Sequence, residues 1–127
     1  MRNAAVIFLF SVILAGCDPM YHLSYCVSNE SGKTVYVCTK SKEYGVTKVD
    51  TILPGKTDTV TLNIGIGYAK PVYLDDEPDL YNRYFFFVDP SLKDSSMFTP
   101  STDWTYSESK KVNGTAVITV TNSDLPK

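Results

Sequence analysis

One histidine, one tryptophan and three cysteines stand among the 127 residues of this chain, so it is poor in the side chains that most often ligate metals or move protons. His22 as the sole imidazole deprives most acid–base and nucleophilic arrangements of their usual base. Zinc asks for four ligands, and one histidine with scattered cysteines does not supply them. No serine sits in a strand–turn–helix nucleophile elbow. Carboxylate pairs remain arithmetically available among the 14 acidic residues, but nothing in their spacing says which would converge. No catalytic residue, metal ligand or cofactor is assigned, and the chain reads as a non-enzyme.

A strong excess of either charge is missing as well. Twelve Lys and Arg face 14 Asp and Glu, a net charge of -2, which gives no electrostatic footprint for nucleic acid or for anionic head groups. Gly65-Ile66-Gly67 is not a nucleotide loop, because Lys70 stands where a third glycine belongs and no helix follows. The run Asp75-Asp76-Glu77-Pro78-Asp79 lacks the alternating ligands and fixed glycine of a calcium loop and reads as a solvated connection. No repeat of 20–50 residues is present. Apart from the segment Ala4 to Leu14, which is shorter than the roughly 20 residues a spanning helix needs, no stretch is apolar enough to cross a bilayer.

What is present at the N-terminus is a secretory plan: Arg2, the apolar run, then small residues. The ending Leu14-Ala15-Gly16-Cys17 resembles the lipobox of bacterial lipoproteins, in which a peptidase cuts before the cysteine and that cysteine carries the lipid. The resemblance divides the chain into a signal peptide at 1–16, a lipidated short tether at 17–20 and a folded domain at 21–127. It implies acyl chains on Cys17 as the contact with the membrane. Such proteins usually carry three chains, more than the two that make anchoring stable. The location implied is the cell envelope: the periplasmic face of the inner or outer membrane, or the cell surface. Asp18 after the cysteine matches inner-membrane retention in some bacteria. With Arg2 removed, the mature part carries 11 basic residues against 14 acidic ones.

The remainder reads as strands punctuated by turns, rich in Tyr, Phe, Val, Ile and Thr. Tyr21 to Asn29 and Lys33 to Lys40 predict a hairpin around Glu30-Ser31-Gly32, with Gly32 left-handed. That register pairs Val27 with Val35, Tyr25 with Val37 and Leu23 with Thr39, all on one face. It makes Cys26 and Cys38 diagonal neighbours, either a disulfide or two buried thiols, since diagonal residues lie roughly 7–8 Å apart. Ser41 to Lys48 reads as a loop or an edge excursion, and Val49 to Leu53 as a strand closed by a type II turn at Pro54-Gly55. Thr57 to Ile64 is a strand with Val60, Leu62 and Ile64 inward, interrupted at Gly65. Pro71 to Leu74 is a short strand.

Tyr84-Phe85-Phe86-Phe87-Val88 is apolar on both faces and belongs in the middle of a sheet. Ser91 to Ser101 is a polar crossover. Trp104 and Tyr106 share a face of the next strand, and Asn113-Gly114 signals a hairpin into Thr115 to Thr121, although a two-residue turn there matches apolar residues badly. Seven or eight strands at this spacing predict an all-β fold, a single antiparallel β-sandwich, with a small closed barrel as the alternative.

Three features bear on binding. Trp104 and Tyr106 are candidates for an aromatic surface that takes a sugar ring or a protein. Asp50-Thr51-Ile52 and Asp58-Thr59-Val60 resemble the Asp-Ser/Thr-aliphatic signal for O-glycosylation in some Gram-negative anaerobes, which makes Thr51 and Thr59 candidate acceptors. Asn29-Glu30-Ser31 and Asn113-Gly114-Thr115 match the N-glycosylation acceptor but read better as turn chemistry. The layout of lipobox, early hairpin, Pro-Gly turn and late aromatic strand is similar to small Gram-negative envelope lipoproteins. That resemblance implies an immunoglobulin-like or transthyretin-like sandwich in an accessory or structural role beside an envelope protein partner. A glycan-binding module, or a small enzyme or enzyme inhibitor, is the alternative function.

Overall fold

Leu23, Tyr25 and Val27 alternate with Ser24, Cys26 and Ser28, and this period of two makes Met20–Asn29 a strand, β1, with one face to bury. The same logic builds β2 (Val35–Ser41), β3 (Gly45–Ile52), β4 (Lys56–Ile66), β5 (Tyr84–Phe87), β6 (Met97–Phe98), β7 (Thr105–Lys110) and β8 (Asn113–Val120). The computed structural model describes residues 20–41, 45–66, 83–110 and 113–127. The leader with Cys17, the strand expected at Pro71 to Leu74 and the acidic run Asp75 to Asp79 lie outside the described residues. So do Gly67 and the side chains of Asn63 to Ile66, including the predicted inward Ile64.

Two four-stranded sheets form, ordered β4-β1-β8-β7 and β3-β2-β5-β6. All pairs are antiparallel except β1 with β8, which run parallel. The fold is therefore an all-β sandwich, with eight strands among the described residues, and not a closed barrel. Leu23, Tyr25, Val27, Ala116, Ile118 and Val120 from the first sheet meet Val35, Val37, Ile52, Tyr84 and Phe86 from the second in one core. Each fully buried aliphatic or aromatic side chain there contributes roughly 1.5–3 kcal/mol.

The expected β1–β2 hairpin does not form. β1 pairs with β4 and β8, and β2 pairs with β3 and β5, so the turn between them arches from one sheet to the other. Gly32 is not left-handed; among the described glycines only Gly55 has a positive φ, 72°. The buried amide of Asn29 holds the arch. Its Nδ2 donates to the Lys33 and Ile52 carbonyls, both at 2.9 Å. Its Oδ1 accepts from the Ser31 amide at 3.0 Å and from the Ser31 hydroxyl at 2.6 Å. The Gly32 amide donates to Asn122 Oδ1 at 2.7 Å, and the Glu30 amide to the Val120 carbonyl at 2.8 Å. The residues expected to share a face do bury together, because the inner faces of two packed sheets look toward the same core.

Other differences have local causes. Gly45 to Lys48 belong to β3, an edge strand. The turn at Pro54-Gly55 closes with the Lys56 amide on the Leu53 carbonyl at 3.1 Å, but it joins strands of different sheets. In β4 the register slips at Val60, with Tyr25 opposite Thr61 and Cys26 opposite Thr59. This bulge keeps Val60 buried and turns Leu62 outward, 52% exposed. No interruption occurs at Gly65, which pairs with Tyr21.

Asn113 and Gly114 lie in β8 rather than at a turn, opposite Lys110 and Glu108. The adopted register sets Tyr106 opposite Ala116, both turned to the core side. Apolar matching has overridden the Asn-Gly turn signal. Tyr84–Phe87 pairs along its length with β2, and its Phe86 and Phe87 also pair with β6, so β5 is an inner strand of its sheet, as a run apolar on both faces favours.

Candidate functional site

β6 edges one sheet and β7 the other. Residues 99–104 cross between them and leave a cleft of about 320 Å³. Tyr84, Phe86, Phe98 and Trp104 line it with Ile118 and Pro100, while Thr99, Thr102 and Asp103 bring polar atoms to it. Those three polar residues are exposed. The crossover is pinned at two points: Thr102 Oγ1 donates to the Thr119 carbonyl at 2.8 Å, and the Ser101 amide donates to Asp124 Oδ1 at 2.9 Å.

The aromatic walls brace one another. Trp104 stands edge-on to Tyr25, with centroids 5.6 Å apart and planes at 86°, and tilts against Tyr84 at 5.3 Å and 49°. Phe86 and Phe98 meet at 5.8 Å across the β5–β6 pair. Such pairs contribute about 0.5–1.5 kcal/mol each beyond area burial. Burial pushes the Tyr84 phenol above its ordinary pKa; Thr61 and Arg83 oppose the shift, and Asp50 adds to it.

Asp124 is a hub at the end of the crossover. Its Oδ2 accepts from the Thr121 amide at 2.7 Å and from the Thr121 hydroxyl at 3.0 Å, while Oδ1 takes the Ser101 amide. Burial by itself raises the carboxyl's pKa, but the hydrogen bonds from Ser101 and Thr121 together outweigh it, and the net shift is downward.

Of the residues singled out from sequence, only Trp104 reaches the cleft, half-buried between Tyr25 and Tyr84. Tyr106 packs instead beside Gly114: a Cβ on that glycine would stand 2.5 Å from the phenolic oxygen. Cys26 and Cys38 are both free and buried. They do not form the disulfide that the hairpin register allowed, because they lie on different sheets and on the faces away from the core. Cys26 Sγ lies 3.4 Å from Thr59 Oγ1. Cys38 sits in register with Val49 and Phe85, and burial raises its thiol pKa against the opposing pull of Lys40.

Thr51 and Thr59 are exposed on the edge strands β3 and β4. Asn29 is wholly buried with its amide fully engaged, which bars it as a glycan acceptor. His22 is exposed on β1, and no group of three or more potential metal ligands occurs among the described residues.

Sequence reasoning missed Phe98 and the truncation of β6. The signal was there: Met97-Phe98 followed two residues later by Pro100, which cannot continue a hydrogen-bonded ladder. No known family model, curated protein or solved structure matches this chain.

Proposed function

We propose that this chain is a lipid-anchored protein of the bacterial envelope whose sandwich acts without catalysis, by engaging a protein partner close to the membrane. The start of β1 at Met20 carries this reading. Three steps of extended chain from Cys17 reach at most ~11 Å, so acyl chains on that cysteine hold the domain against the bilayer. The described lining of the cleft offers surface for binding, with Asp103 as its only carboxylate.

Two measurements test the reading. Cys17→Ser should abolish incorporation of labelled palmitate and release the protein from membranes. A flexible insert of about 20 residues before Met20, extending the reach to roughly 25 Å, should weaken crosslinking to the partner in intact envelopes. Unchanged crosslinking would count against a role limited by reach.

A glycan-binding module is the second reading, supported by Trp104 beside hydroxyl and carboxylate groups in the cleft. Thr51 and Thr59, with exposed side chains, are the proposed O-glycan acceptors. Loss of a mass increment in Thr51→Ala or Thr59→Ala is the test of each.

A further inference from the structure

The outward face of the β4-β1-β8-β7 sheet is set apart by its lack of charge. Leu23, Tyr25 and Val27 of β1 point into the core, so their alternates point out, and residues paired across a ladder share a face. By that register, no Asp, Glu, Lys or Arg stands on this face among the residues whose side chains are described. The chain holds 12 basic and 14 acidic residues, and those with described side chains fall elsewhere. Serine and threonine hydroxyls dominate the face, and His22 is the one described side chain on it able to carry charge.

Two large apolar side chains break this polar surface. Met20 is 59% exposed and Leu62 52%. Both lie on the half of the face where β1 begins. Met20 pairs with Ile66, and Leu62 with Ser24, four residues further along β1. The two positions are therefore about 13 Å apart along the strands, on adjacent strands.

We propose that this half of the outward face rests on the lipid surface. Met20 and Leu62 enter the headgroup region, and the strands lie along the bilayer instead of standing on it. The proposal rests on the lipid-anchor reading above and names the face that meets the membrane.

Three observations select lipid as the occupant. The first is the length of chain before β1: Cys17 is three residues from Met20, a reach of at most ~11 Å. Acyl chains on that cysteine bring the Met20 end of the face to the bilayer. The second is the thickness of the sandwich, since stacked sheets lie roughly 10 Å apart. Resting on the opposite sheet would lift β1 by that spacing plus a layer of side chains, which leaves the tether no slack. The third is charge. A face without carboxylates meets anionic headgroups with no repulsion and no ion to desolvate, and its hydroxyls exchange water for lipid phosphate and ester oxygens. The contact does not have to be strong. The anchor holds the face at high effective concentration, so two apolar side chains suffice to set an orientation that they could not hold alone. The same orientation turns the opposite sheet, with exposed Val49 and Met97, away from the bilayer.

The lipidated chain, reconstituted in phosphatidylethanolamine–phosphatidylglycerol vesicles, tests the orientation. An environment-sensitive fluorophore is attached in turn to Met20→Cys, Leu62→Cys, Leu53→Cys and Met97→Cys, four exposed apolar positions. Cys26 and Cys38 are buried, and the unsubstituted chain serves as the labelling blank. Probes at 20 and 62 should shift to shorter wavelength and be quenched by lipids carrying a nitroxide near the headgroup. Probes at 53 and 97 should stay at the emission seen in water. Met20→Glu should reduce quenching of the probe at 62 while leaving the melting temperature in detergent unchanged.

Quenching at 20 without quenching at 62 overturns the proposal in favour of a domain standing on end. Quenching at 53 or 97 overturns it in favour of another face. Flotation of the vesicles separates this proposal from the reading beneath it. A chain that floats with the vesicles but shows no quenching at 62 removes the orientation and keeps the anchor; a chain that does not float removes both.

Discussion

The side-chain amide of Asn29 donates a 2.9 Å hydrogen bond to the carbonyl of Ile52, joining the end of a strand in one sheet to the end of a strand in the other. Asn29 also supports the arch to β2, so one buried amide holds two crossings of the chain. Removing it leaves the Lys33 and Ile52 carbonyls without those donors. Asn29→Ala should cost about 2–4 kcal/mol in urea unfolding, and Ser31→Ala about 1 kcal/mol. Asn29→Asp should not rescue, since an ionised carboxylate accepts but cannot donate to those carbonyls. Wild-type stability in Asn29→Ala would mean that the arch is held by backbone contacts alone.

Gly114 and Tyr106 form a second coupled pair. A methyl group at residue 114 must displace the phenol ring, whose atoms would stand 2.5–2.9 Å from it, and the ring must then leave its packing against the core. Gly114→Ala should destabilise by about 1–3 kcal/mol. In a Tyr106→Ser background the same change should be nearly neutral. A double-mutant cycle measures the coupling, and additive effects would show that the ring yields freely.

Adjacent phenylalanines of β5 should respond differently to the same charge. Phe86 is 4% exposed in the core, so Phe86→Asp buries a carboxylate among apolar side chains and should prevent folding. Phe85 points to the outer face, half-buried, with Lys40 Nζ 4.1 Å from its ring centroid. Phe85→Asp removes that cation–π contact, about 0.5–1 kcal/mol at an exposed site, and part of the apolar cover. The variant should remain folded, with a lower melting temperature. Circular dichroism of the two distinguishes them, and equal loss would mean that the outer face is as closed as the core.

Stability should fall in acid through Asp124. Its pKa is lower in the folded protein than in the unfolded chain, so the carboxylate's contribution is fully present above the unfolded value of about 3.9. It is lost as the pH drops from there through the depressed folded value. Asp124→Asn should be less stable than wild type at neutral pH, and the difference should shrink below about pH 4. A gap that stays constant across that window would place the effect in packing rather than in ionisation.

Much of the architecture was legible in one dimension. Leu23, Tyr25, Val27, Val35 and Val37 bury together, as their period of two requires, and Tyr84–Phe87 lies inside a sheet because it is apolar on both faces. The Pro54-Gly55 turn and the positive φ at Gly55 follow from residues that favour that geometry. Of the candidate site, the sequence marked Trp104 but not its companions, because Tyr84 and Phe86 read equally well as ordinary core. Phe98 was hidden in a polar crossover.

What the sequence by itself determined is the buried face of β1, β2 and β8 and the turn at Pro54-Gly55, since these depend on residues that are neighbours along the chain. The outward turn of Leu62 and the place of Asn113-Gly114 inside β8 were set by pairing. Strand partnership was decided only in three dimensions. A hairpin and an inter-sheet arch bury the same alternating residues, and the choice between them rests on Asn29 reaching Ile52, a contact between residues far apart in sequence. The cleft has the same origin: its lining joins Tyr84, Phe86 and Phe98 of one sheet to Ile118 of the other through residues 99–104, and local pattern does not record which side chains of two sheets meet.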